Sequence, residues 1–175
     1  MKPESWLTTL HTLYDQSVAK YRNGLRSSTD FFDTKETAFL TSIGITPIQV
    51  VDYVEDFVRG GDPDWETYLL LAAARRDYFI FVQNSTPLKN CVAGSELPSK
   101  RDQLDGIAWL PRIIRKADHF LKGCLSPDLM YGCGGDRPFL KSHGINLPDF
   151  LSMVRAANGD EQKTLKTFKA HSIQF

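Results

Sequence analysis

A short motif recurs in this chain at a spacing of 100 residues, and it constrains the fold more than any other feature. Phe39-Leu40-Thr41-Ser42-Ile43-Gly44-Ile45 matches Phe139-Leu140-Lys141-Ser142-His143-Gly144-Ile145 at five of seven positions. The punctuation around the two copies agrees in kind. A long amphipathic stretch ends at Gly24 or Gly123. A loop, the motif, a proline, a second apolar stretch and Gly-Asp (61–62 or 159–160) follow. The same order of signals on both sides predicts two helical modules of common plan.

Each half reads as long helix, short helix, medium helix, final helix. Trp6, Leu7, Leu10, Leu13, Tyr14, Val18 and Tyr21 recur at helical spacing. Asp33-Thr34-Lys35-Glu36 has the form of a capping box. Thr46-Pro47 and Asp62-Pro63 read as caps followed by proline at the first helical position. The second of these opens a helix from Asp64 to about Asn84, apolar nearly all round, which makes it the candidate central helix. In the second half Trp109, Leu110, Ile113, Ile114, Ala117, Phe120 and Leu121 mark the cleanest amphipathic helix. Asn146 and Pro148 open a further helix, and Asp160 caps the last. The expected fold is all-α and a single domain, with module one over about 5–84, a connector over about 85–106 and module two over about 107–171. The connector has no clear period and leaves room for a short strand. No alternating hairpin pattern is seen.

The chain carries 21 basic and 21 acidic residues. Zero net charge argues against nucleic acid or an anionic membrane as partner, since both rely on a basic excess. The 33–58 region resembles a helix-turn-helix in outline, but its second helix carries Asp52, Glu55 and Asp56 and would face phosphates poorly. The apolar run 68–82 is interrupted by Arg75, Arg76 and Asp77 and is too short to span a bilayer. Cys91, Cys124 and Cys133 lack metal-finger spacing and read as reduced thiols of a cytoplasmic protein. No signal-peptide core opens the chain. The four histidines form no metal-binding pair, so no metal is expected and no cofactor is named. His143 stands where Ile43 stands in the first motif copy and reads as half-buried packing.

Tyr131-Gly132-Cys133-Gly134-Gly135-Asp136-Arg137-Pro138 is the strongest local signal for chemistry. Three glycines in four positions permit close backbone approach next to a helix start. Two readings stand at this point. In one, Asp136 is a helix cap and the glycines a tight turn. In the other, Asp136, Cys133 and Tyr131 are catalytic candidates, with Asp136 orienting an arginine or serving as acid/base and Cys133 as a nucleophile. Arg137, Arg75, Arg76, Arg112 and Lys116 would then hold an anionic substrate group, with Asp77 a further substrate-binding candidate. One of Arg75 and Arg76 would pair with a distant carboxylate such as Asp136, or both would snorkel to the surface. Arg112, Arg115, Lys116 and Lys122 read most simply as a solvated helix face, although Arg112 and Lys116, four apart, could share one anion.

Several of these segments resemble the bacterial domain-of-unknown-function family 5069. They are Ala74-Arg75-Arg76-Asp77-Tyr78-Phe79, Trp109-Leu110-Pro111-Arg112 with Lys116-Ala117, and Met130 through Phe139, together with Gly60-Gly61-Asp62 and the repeated motif. The resemblance covers most of the chain and implies a bacterial, soluble, single-domain protein. It adds no reaction, and it does not include His119. The functional expectation is therefore a binding protein or enzyme for a small anionic metabolite, with its site near the Tyr131–Pro138 loop. The alternative is a non-catalytic interaction module using an apolar surface such as Phe31-Phe32. Copies of the chain itself are a further candidate partner.

Overall fold

A computed structural model describes residues 3–89 and 93–172. The fold is all-α. Among the described residues eight α-helices run in chain order as α1 Pro3–Arg22, α2 Thr34–Ser42, α3 Pro47–Gly60, α4 Trp65–Asp77, α5 Leu110–Lys122, α6 Asp136–Lys141, α7 Leu147–Ala156 and α8 Glu161–Ser172. Local chemistry accounts for their ends. Asp33 accepts from the Glu36 N–H at 2.8 Å while Glu36 accepts from the Asp33 N–H at 2.8 Å, closing the capping box. Asn146 and Asp160 accept from the backbone three residues on, at 2.8 and 2.9 Å. At the start of α4 the cap is Asp64, which accepts from the Thr67 N–H at 2.9 Å. Asp62 was the expected cap; its carboxylate instead pairs with Arg137.

The two copies of the repeated motif close their helices alike. Ile43 and Gly44 donate to Leu40 and Thr41, and Ile45 donates to Leu40. His143, Gly144 and Ile145 donate to Leu140, Lys141 and Leu140. Gly44 and Gly144 take φ of +74° and +70°, where a side chain would be strained. His143 is half-buried between Phe139 and Phe168, with ring centroids 4.7 and 5.0 Å away.

Helix α1 packs against α3, and α5 and α4 both pack against α7. Tyr14 stacks on Tyr68 with centroids 5.1 Å apart, Tyr53 lies tilted against Tyr68 at 5.0 Å, and Phe120 and Tyr131 continue the aromatic line. The most completely buried helix is α5, with nine of its 13 residues in the interior, against four of 13 in α4. The expected central helix 64–84 is shorter than its pattern implied. It passes into a π-helical turn at Tyr78–Val82, whose Phe81 is 73% exposed.

The connector holds a two-residue hairpin, β1 Gln103–Leu104 with β2 Ile107–Ala108. Asp105 and Gly106 form its turn with φ of +52° and +79°. An Asp-Gly pair with both residues left-handed is the favoured tight hairpin turn. Strands of two residues show no alternation, so the connector's sequence leaves room for a short strand without signalling a hairpin.

Candidate functional site

The glycine-rich turn closes over a buried ion pair. Asp136 opens α6, yet its side chain caps nothing and is fully buried. One carboxylate oxygen accepts from Trp109 Nε1 at 2.9 Å. The other accepts from the Gly132 N–H at 2.9 Å and from Lys116 Nζ. Lys116 is 3% exposed, and its Nζ also lies 3.2 Å from Cys133 Sγ. A carboxylate removed from water needs a countercharge and filled lone pairs, and this one has both.

Local backbone makes the arrangement possible. Trp109 adopts φ +73°, uncommon for a bulky residue, immediately before α5. Its ring lies over Gly135, where a Cβ would stand 2.6 Å from the indole. At Gly132, with φ +82°, a Cβ would stand 2.7 Å from Leu147. Two of the three glycines thus let the turn settle on neighbouring side chains. Gly134 differs: nothing lies within 4 Å of a Cβ there.

The expected site residues divide into two groups. Asp136, Cys133 and Lys116 converge. Tyr131 lies beneath them, fully buried, its hydroxyl donating to the Leu147 carbonyl at 2.8 Å and its own carbonyl accepting from Tyr53 at 2.6 Å. Burial first, then the Tyr53 and Asp136 charges, push its phenol well above the usual range. Arg137 fastens the turn to α3 and the 61–64 segment through Asp56 at 2.6 Å, Asp62 at 3.0 Å and the Gly132 carbonyl at 2.6 Å.

The other arginines serve elsewhere. Arg75 is buried and donates to the Leu121 carbonyl at 3.0 Å and Gln83 Oε1 at 2.9 Å. Burial lowers its guanidinium to about 10. Its partners are neutral, so the expected pairing with Asp136 is replaced by Lys116. Arg76 lies over Trp6 at 4.6 Å and beside Asp77 at 3.3 Å. Arg112 donates to the Pro98 carbonyl at 2.8 Å and shares no anion with Lys116. The solvated-face reading of α5 fails at Lys116. Trp109 is a site residue whose role no motif in the sequence marks: it stands just outside α5 in a left-handed conformation, and the fold alone brings its indole to Asp136, 27 residues on.

A groove of about 790 Å³ adjoins the turn at Gly134. Leu140, Ile145 and Leu147 form its apolar floor, and the rim carries Arg137 and Lys141 with Thr67, Asn146 and the single acid Asp62. A smaller apolar pocket of about 100 Å³ lies between α3 and the 125–131 loop, with Asp52 at its edge. Burial, then Glu55 and Asp56, push the Asp52 carboxyl up to about 7. Among the described residues no group of His, Cys, Asp and Glu could hold a metal ion, and no helix is long and apolar enough to cross a membrane. Cys91 lies outside the described residues. Compared with known protein families, curated proteins and solved structures, the chain matches none.

Proposed function

We propose that the groove beside the glycine-rich turn binds a small anionic metabolite. The observation that carries this reading is its lining: two cations and two neutral polar side chains above an apolar floor, within the size range of small-molecule sites. Arg137 is largely neutralised by Asp56 and Asp62, which leaves Lys141 as the cation open to a ligand. The fitting ligand pairs one carboxylate or phosphate with a small apolar body. Asp136 and Lys116 act as positioning residues that hold the wall of the groove. The test is a thermal-shift series with small carboxylates and phosphates, on wild type and Lys141→Met. The expected result is a stabilising compound whose effect drops at least tenfold in concentration dependence in the variant. No shift with either class, or a shift unchanged in Lys141→Met, refutes the reading.

The interaction-module alternative loses Phe31-Phe32, which are 0% and 9% exposed. It moves to Phe81 and Val82, exposed at 73% and 53% on the π-helical turn. A change in oligomeric state on Phe81→Ser would favour it.

The same proposal includes the fold's history and setting. The matched hydrogen bonds of the two motif copies support a duplication of one helical module; a bacterial, cytoplasmic setting and kinship with the 5069 family are proposed on the sequence resemblance alone. Helices α4 and α8, the matching last helices of the two halves, run to 13 and 12 residues, and α8 is the more polar.

A further inference from the structure

We propose that Cys133 and Lys116 form a reversible covalent S–N bridge when the protein meets peroxide. Three observations carry it. Lys116 Nζ lies 3.2 Å from Cys133 Sγ, on a different element, and Asp136 holds it there. Lys116 is 3% exposed, so competing nucleophiles from solvent do not share its position. Cys133 keeps a free thiol and is half-buried rather than enclosed, beside Gly134, whose side-chain position is open space, which leaves a way in for a small oxidant.

The chemistry balances in two steps. Peroxide oxidises the thiol to the sulfenic acid, delivering one oxygen and leaving as water. The Lys116 ammonium first passes one proton to Asp136, and the neutral amine so formed attacks that sulfur, making the S–N bond as the S–O bond breaks. The nitrogen's second proton leaves with the hydroxide as the second water. The sum is one thiol, one amine and one peroxide converted to the linked product and two waters. Charge stays balanced throughout: the cation disappears in the same step that neutralises the Asp136 carboxylate. A buried pair favours this course, because neither charge is left alone in the interior. The product ties α5 to the glycine-rich turn. A thiol reductant reopens it by attack on sulfur. The inference stands apart from the groove's ligand, since it needs only the two side chains and the oxidant.

The test is a tryptic map of the native wild-type protein after hydrogen peroxide treatment. The expected result is loss of cleavage after Lys116 and a linked peptide pair joining Lys116 to Cys133, lighter than the sum of its parts by two hydrogen atoms. Dithiothreitol restores both peptides. Cys133→Ser abolishes the link. Lys116→Arg, which keeps a cation beside Asp136, yields instead a sulfenic acid captured by dimedone. Recovery of Cys133 only as sulfinic or sulfonic acid, with cleavage after Lys116 intact, overturns the proposal. So does a disulfide from Cys133, or a linked pair carrying an additional oxygen. The wild-type map decides the matter even if a variant fails to fold.

Discussion

Replacing Lys116 by methionine isolates the energetic role of the buried pair. Methionine keeps most of the lysine stem, so the packing loss stays below about 1.5 kcal/mol. What changes is the environment of Asp136. The carboxylate keeps its two N–H donors, from Trp109 and Gly132, and loses the one countercharge paired with it among the described residues. Stranding a buried charge costs ~3–5 kcal/mol. That is a large share of the ~5–15 kcal/mol that holds a domain of this kind together. Asp136→Asn strands the ammonium instead and falls in the same range. The double variant separates charge from packing. Its amide oxygen accepts one of the two N–H groups and leaves the other short, at ~1–3 kcal/mol. Lys116→Met with Asp136→Asn should therefore be about 2 kcal/mol more stable than Lys116→Met alone. Equilibrium urea unfolding at neutral pH reads all four proteins, with an unchanged slope required for the comparison. A single variant within about 1 kcal/mol of wild type refutes the reasoning, as does a double variant less stable than both singles.

Two further outcomes follow from the structure. The Asp52 carboxyl holds its proton to about pH 7 when folded and to about pH 4 when unfolded. Between those values the folded state binds the extra proton, so stability falls as pH rises and the penalty is complete above 7. Asp52→Asn should thus gain ~1–2 kcal/mol over wild type at pH 8, after allowance for solvent at the pocket's edge, and nothing at pH 4; an equal gain at both pH values in thermal melts tells against it. Within the glycine turn, Gly135→Ala should lose ~1–3 kcal/mol to the clash with Trp109, whereas Gly134→Ala should be neutral or gain up to ~1 kcal/mol. Equal effects of the two substitutions on urea midpoints would show that the ring yields.

Helix ends were legible because their chemistry is local. Asp33 and Glu36, Asn146 and Asp160 bond to backbone within three residues, and a stretch of sequence contains the whole interaction. Gly44 and Gly144 were legible for the same reason. The site was harder, because its bonds span 20 and 27 residues, from Lys116 and Trp109 to Asp136. A charge on an amphipathic helix reads as solvated, and Lys116 reads so. The sign that it is not lies on its flanks. Ile113 and Phe120, one turn either side, belong to the buried face, which places Lys116 at that face's edge. The sequence could name Asp136 as a residue with work to do. It could not say whether the partner would be backbone, arginine or lysine, since that depends on how α6 lies against α5.

The three glycines sharpen where function sits. Glycine carries an entropic penalty wherever another residue would fit, so each needs a reason. Gly132 has one in its φ of +82° and its contact with Leu147, and Gly135 has one in the Trp109 ring. Both reasons concern the buried pair and follow from packing alone. Gly134 has neither: its φ lies outside the left-handed region and its side-chain position is empty. Packing would accept alanine there and stability would favour it. What an added side chain would alter is the way in to Cys133 on one side and the wall of the groove on the other. The residue that the fold requires least is therefore the one that borders both proposed activities. A substitution that stabilises the protein there while slowing thiol oxidation or weakening ligand binding would show stability set aside for access.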